Sequence, residues 1–255
     1  MLMMLDPVEA FRHTQKAEPK PWQPSYLWQR KNVIMLKGRQ IGASTCGSVL
    51  GVRFCKLVPD SLVAVVSPGQ KLSGEVKNRA KVGLKNIGEL LATENATTLG
   101  LRNGSRFMSL PGTPKSVRGW TADLLIIDEA AFLDPDTFLA ARATVATGGR
   151  IIIQSTPAGP FGPFYDMYED AVDWDSPEAL LDATRWVRYH VSSEQAGTHA
   201  PGFLEEEKRT MTDEEYSQEY LGLFGRPGTG LVDPSKLDGE LEKDNPWQAL
   251  KEILS

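Results

Sequence analysis

Short runs of β-branched and aliphatic residues recur along the first two thirds of the chain and alternate with longer stretches of helical periodicity. Strands are predicted over 32–36, 62–67, 124–128, 150–155 and 185–191, and helices over 43–56, 69–92, 136–146 and 161–171. This alternation predicts an α/β protein, a mostly parallel sheet flanked by helices. Between the second and third strands, Asn103-Gly104 sits inside alternating residues and predicts a hairpin over 98–110. After about residue 195 no long apolar strand follows. Acidic helices over 201–211 and 212–224 predict a small helical lid subdomain. Beyond it, Pro227, Gly228, Gly230 and Pro234 in an acidic setting predict a linker closed by a short amphipathic piece at 247–254. The expected organisation is therefore a core at 1–195, a lid at 196–226 and a linker or tail at 227–255.

With 255 residues, 41% of them hydrophobic, the chain can bury one large core plus a small appended unit. Its apolar runs are strand-length, far short of the ~20 residues that span a bilayer, so no membrane partner is expected. The opening Met-Leu-Met-Met-Leu followed by Asp6, Pro7 and Glu9 has no basic region and no small-residue cleavage site, so no secretory signal is expected. Cys46 and Cys55, nine apart on one predicted helix, point to different faces and suit buried free thiols in a reducing compartment. His13, His190 and His199 are scattered, which argues against zinc. The net charge of −5 hides an asymmetry: residues 1–122 carry +11 and residues 123–255 carry −16. A basic half of this kind suits a polyanion-binding face. Lys77, Arg79, Lys81, Lys85, Arg102 and Arg106 are its candidate contacts.

The first predicted strand runs into Lys37-Gly38-Arg39-Gln40-Ile41-Gly42-Ala43-Ser44-Thr45 and then into a helix, the context that a phosphate-binding loop requires. Backbone amides of such a loop, with the helix N-terminus, cradle phosphates. The common pattern G-x-x-x-x-G-K-[ST] asks for Gly at 37 and Lys at 43, where this chain has Lys37 and Ala43. Phosphoryl transfer still needs a positive charge near the β- and γ-phosphates, and either Lys37 or Arg39 can supply it. Ser44 is the expected Mg²⁺ ligand, with Thr45 behind it. Leu124-Leu125-Ile126-Ile127 ends in Asp128 and Glu129, so one buried strand delivers two carboxylates to the sheet edge. Asp128 is expected to hold Mg²⁺ and Glu129 to polarise the attacking water. A third buried strand ends in Ser155 and Thr156, expected to sense the γ-phosphate. Together these features predict a P-loop NTPase of the RecA/ASCE-like class binding ATP and Mg²⁺.

Gly38 to Ser44, then Arg118-Gly119, then Ile127-Asp128-Glu129-Ala130-Ala131, then Ser155-Thr156-Pro157 with Gly159, resemble in order and spacing the ATPase domain of bacteriophage terminase large subunits. The resemblance covers roughly 15–230, including Glu219-Tyr220 and Phe224. It implies a motor that moves double-stranded DNA into a procapsid, with a portal protein and a small terminase subunit as partners. It also implies a homo-oligomeric ring when assembled, a monomer in isolation, and residence in the host cytoplasm with visits to the procapsid portal. It further implies that Trp22 and Gln23 recognise adenine, and that Arg142 or Arg118 reaches a neighbouring subunit's ATP. Only about 30 residues follow the lid where the family continues into a nuclease, so no nuclease activity is expected here. Two alternatives stand beside this reading: a helicase-like ATPase, for which no second domain fits, and a silent nucleotide- or nucleic-acid-binding module, which Ala43 allows.

Overall fold

Two hydrophobic cores divide the strand residues by parity. Val33, Met35, Val63, Val65, Leu124, Ile126 and Ile152 point into one, whereas Ile34, Leu36, Leu62, Ala64, Val66, Leu125, Ile127, Ile151 and Ile153 point into the other. Successive strand side chains alternate faces, so runs that are apolar throughout must be covered on both sides. The computed structural model describes residues 2–225; the expected linker and its amphipathic piece lie outside them.

Among the described residues the strands are β1 (Val33–Lys37), β2 (Leu62–Ser67), β3 (Leu91–Glu94), β4 (Thr98–Leu101), β5 (Arg106–Pro111), β6 (Ala122–Asp128), β7 (Val145–Ser155), β8 (Val172–Asp173) and β9 (Val187–Val191). They form one sheet in the order β3-β4-β5-β2-β6-β7-β1-β9-β8. β3, β4 and β5 pair antiparallel, and every other neighbour is parallel. The sheet is thus the mostly parallel, helix-flanked P-loop arrangement expected, with the β4–β5 hairpin one strand in from its β3 edge.

Helices α1 (Pro7–Gln15) and α2 (Gln23–Trp28) precede β1, and α3 (Ala43–Leu57) and α4 (Gln70–Asn86) follow β1 and β2. These pack with the first core. Short α5 (Pro114–Val117) precedes β6, while α6 (Pro135–Arg142) and α7 (Gly162–Asp170) cover the second core. Then come α8 (Pro177–Leu181), α9 (Ser193–Ala196), α10 (Phe203–Thr210) and α11 (Asp213–Tyr216), the last continuing into a π-helical turn at Ser217–Leu221.

The differences from expectation have local causes. The helix expected over 69–92 stops at Asn86, where Gly88 takes φ 73° and the Glu89 amide bonds back to the Leu84 carbonyl; Leu91–Glu94 then pairs with β4 instead. The helix expected over 136–146 stops at Arg142, and β7 starts five residues earlier than predicted, at Val145. α1 was not expected, although its signal is present: the Asp6 carboxylate accepts from the Val8 and Glu9 amides, and Pro7 opens the helix.

Lys77 is a correction to the basic-face candidates. It is buried, and its ammonium donates to the Asn95 and Ala96 carbonyls at 2.9 and 2.7 Å, holding the turn before β4. Lys81 pairs with Glu94 at 2.6 Å. Arg79, Lys85, Arg102 and Arg106 are exposed. Cys46 and Cys55 are both buried and unpaired, because α3 is enclosed on both sides. Burial pushes the Cys55 thiol up to about 12, which makes it a poor nucleophile.

Candidate functional site

β1, β7 and β6 are neighbours whose C-terminal ends meet at one edge, the usual place for a ligand in an open parallel sheet. Register aligns Leu36 with Ser155 and Asp128 with Gln154. β7, ending in Ser155, therefore lies between the loop-bearing strand and the strand with two acids.

The turn from β1 into α3 needs unusual backbone. Gln40 has φ 57° and Gly42 φ 89°, a conformation that favours glycine, and a Cβ on Gly42 would stand 2.9 Å from Gln23 Nε2. α3 starts at Ala43, so its unpaired first amides lie at the loop. They flank a cavity of about 530 Å³ lined by Lys37, residues 40–45, Arg79 and Glu129. Here the structure brings together Lys37, Gln40, Ile41, Gly42, Ala43, Ser44, Thr45 and Glu129; Ile41 is buried and anchors the loop to the core.

Asp128 is almost wholly buried and fully engaged. Ser44 Oγ donates to its Oδ2 at 2.9 Å, and Gln154 Nε2 donates to its Oδ1 at 2.8 Å. The Tyr26 hydroxyl in turn donates to Gln154 Oε1 at 3.1 Å. Burial pushes the Asp128 carboxyl upward against the pull of Lys37, so a bound cation would relieve a carboxylate held at a cost.

Glu129 occupies the left-handed region at φ 54°, a conformation costly for a residue with a side chain. Its Oε1 receives Lys37 Nζ at 2.6 Å, and its Oε2 accepts from the Thr156 amide at 3.1 Å and the Thr156 hydroxyl at 3.2 Å. Ser155 Oγ stands at 3.4 Å from the same oxygen and accepts from the Ala131 amide at 3.1 Å. Burial raises the carboxyl, but Lys37 and the Thr156 bonds outweigh it, and the net shift is downward. Glu129 is thus held ionised beside the loop.

Arg39 lines a neighbouring cavity of about 400 Å³ with Lys37, Glu129 and Thr156 and is tied to Glu219 there. Its guanidinium pairs with Glu219, its amide donates to the Glu219 carbonyl at 2.8 Å, and its own carbonyl accepts from Ser193 Oγ at 2.8 Å. Gly38 lies under this clasp: a Cβ there would be 2.3 Å from the Tyr220 carbonyl oxygen and 2.6 Å from the Ser193 amide. The backbone at Ser193 and Tyr220 therefore sits directly on the start of the loop. Gln23 is buried behind Gly42, and its Oε1 accepts from the Lys20 amide at 2.8 Å. Trp22 packs edge-on against Tyr26 at 5.7 Å, its indole N–H buried without a partner among the described residues. Arg142 is wedged between Phe138 and Trp186, 5.9 and 5.7 Å from the ring centres. Arg118 is exposed beside Gly119 at φ 90°.

Sequence reasoning missed Gln154, Tyr26, the Glu219 clasp and the place of Arg79 in the cavity. A glutamine at the end of an otherwise apolar strand was a signal for the first.

The model of the family described as "Terminase large subunit, T4likevirus-type, N-terminal" matches residues 34–237 of this chain. The chain belongs to that family. As a member it is the ATPase part of a viral DNA-packaging motor. Among solved structures, the large terminase ATPase domain of Thermus phage P74-26 is similar with a TM-score of 0.68 and 20% identity, covering 86% of this chain and 99% of that one. The large terminase of the thermophilic bacteriophage D6E, solved in complex with ADP, gives 0.62 and 17%, covering 88% and 53%. The HK97 bacteriophage large terminase gives 0.66 and 13%, covering 87% and 55%. At these identities the structures speak for the fold. The chain spans about half the length of the latter two terminases. The helicase-like alternative is not favoured.

Proposed function

We propose that this terminase domain hydrolyses ATP with Mg²⁺ at the loop cavity, and that the hydrolysis drives double-stranded DNA into a procapsid. The observation that carries the reading is the convergence of Ser44 and Asp128 at 2.9 Å with Glu129 as the next residue, at the foot of a helix N-terminus. A serine hydroxyl and carboxylate oxygens are the hard donors that suit Mg²⁺. Bound there, the ion would neutralise phosphate charge. The loop amides and the α3 N-terminus hold the phosphate tail. Glu129, ionised and fixed through Thr156, takes a proton from the water that attacks the γ-phosphorus, and ADP departs. Lys37 guards Glu129 and turns its ammonium to the γ-phosphate when nucleotide is present. This supports Lys37 over Arg39 as the substitute for the lysine absent at 43, since Arg39 is occupied by Glu219. Ser155 and Thr156, bonded or close to the same carboxylate, would register phosphate loss, and the Arg39–Glu219 clasp would pass it to the lid at 196–226. Trp22 and Gln23 remain the proposed adenine-side residues.

In a homo-oligomeric ring, Arg118 is the better candidate for a finger in trans. It is exposed, whereas Arg142 is held by two aromatic rings and its guanidinium is partly desolvated. A portal protein and a small terminase subunit would be the partners, in the host cytoplasm and at the procapsid portal. Among the described residues no helix is long and apolar enough to cross a membrane. Mixing tests the ring: Glu129→Gln and Arg118→Ala subunits, each inactive alone, should regain part of the ATPase activity together. Mixtures that stay inactive while wild type turns over would refute a finger from Arg118.

A further inference from the structure

The loop cavity holds an arginine whose position does not match the DNA contact expected of it. Arg79 lies in the middle of α4 and is, with Lys77, Lys81 and Lys85, one of the candidate DNA contacts on that helix. Its guanidinium nevertheless reaches across to α3, with Nη1 3.4 Å from Thr45 Oγ1, and it lines the cavity with Ser44, Thr45 and Lys37. Glu75 stands one turn earlier on the same helix, at the spacing that favours an ion pair, yet the side chain takes the loop direction. Among the described residues it is paired with no carboxylate. Lys37 is paired with Glu129, and Arg39 with Glu219. The position where the common loop pattern has its lysine is Ala43.

From these observations we propose that Arg79 is a phosphate-binding residue of this site, acting in cis and supplying charge that Ala43 cannot. The inference rests on the nucleotide reading given above. The two ends of the cavity divide the work. Lys37 and Glu129 mark the end where water attacks, so the γ-phosphate lies there. Thr45, one residue past the metal-holding Ser44, marks the other end, nearer the nucleoside. Arg79 therefore meets phosphates that ATP and ADP share. A planar guanidinium offers two parallel donors to phosphate oxygens. Since the contact is made equally to substrate and product, it contributes to binding more than to the chemical step.

The test uses the full chain with Mg²⁺, titrating ADP and ATP by calorimetry and following phosphate release, for wild type, Arg79→Ala and Arg79→Lys. Arg79→Ala should raise Kd for both ADP and ATP about tenfold, as expected for one charge-assisted hydrogen bond at a partly solvated site. kcat should fall less than threefold, and Arg79→Lys should recover part of the affinity. The side chain is exposed, so the thermal midpoint should stay at the wild-type value. Unchanged Kd in Arg79→Ala would overturn the proposal, and if DNA stimulation alone were lost the residue would be a DNA contact. A weakened ATP Kd with an unchanged ADP Kd would also overturn it, placing the residue at the γ-phosphate. Wild type that binds neither nucleotide would refute the nucleotide reading itself, and this proposal with it.

Discussion

Gln154 is one of two side chains that hydrogen-bond the Asp128 carboxylate, and replacing it with leucine tests what that bond contributes. It is fully buried on β7, donating to Asp128 at 2.8 Å and accepting from the Tyr26 hydroxyl at 3.1 Å. Leucine has a similar volume, so little cavity is left and the change is almost wholly polar. The lost bond to a charged acceptor costs about 1.5–3 kcal/mol. The Tyr26 hydroxyl, buried without a partner, adds about 1–3 kcal/mol. The expected loss is about 3–5 kcal/mol, well within what a domain holding 5–15 kcal/mol can show and survive. Tyr26→Phe alone leaves Gln154 Oε1 unsatisfied and should cost about 1–2 kcal/mol. In the double variant the orphaned hydroxyl is gone, so its loss should be smaller than the sum of the singles by 1 kcal/mol or more. Urea unfolding of the four proteins measures this. A Gln154→Leu loss below about 1 kcal/mol, or strict additivity with Tyr26→Phe, would refute the relay from α2 to Asp128.

Three further outcomes are expected. Glu129→Gly and Glu129→Ala both remove the carboxylate, but only alanine keeps a Cβ at φ 54°, so the glycine variant should be the more stable by about 1 kcal/mol in urea unfolding. Gly38→Ala places a methyl against two backbone groups of the clasp and should cost about 2 kcal/mol, read as a lower thermal midpoint. The Glu129 carboxyl titrates below its ordinary 4.5 in the folded protein, so its stabilisation is present above pH 4.5 and is lost as pH falls through the lower folded value; the stability difference between wild type and Glu129→Gln should shrink over that range in pH-dependent unfolding.

The strands that build the site were legible because each carries its own local signal. Four apolar residues before Asp128, and the Gly42 turn into α3, need no knowledge of distant sequence. Boundaries failed where two structures competed for one segment, as at Leu91–Glu94, where helical spacing continues but a neighbouring strand edge was available. Gln154, Tyr26, Arg79 and Glu219 failed for another reason. Their roles arise only when β7 is placed between β1 and β6, α2 is folded against that strand, α4 against α3, and the turn at Ser217–Leu221 over the loop. Apart from the place of Gln154 at the end of an apolar strand, nothing within a few residues of each encodes that placement. The charge asymmetry was legible as a total but not by residue, since Lys77 spends its charge on two carbonyls inside the fold.

In the proposed mechanism Glu129, beside Ser44 and Asp128, activates water for ATP cleavage. Mg²⁺-dependent phosphate release by wild type and Glu129→Gln, measured with and without duplex DNA alongside ADP binding, tests it most directly. Wild type should turn over ATP, faster with DNA, and Glu129→Gln should lose at least a hundredfold of that rate with ADP binding retained. Wild-type turnover matched by Glu129→Gln would contradict it, as would a wild type that binds ADP with Mg²⁺ and never releases phosphate.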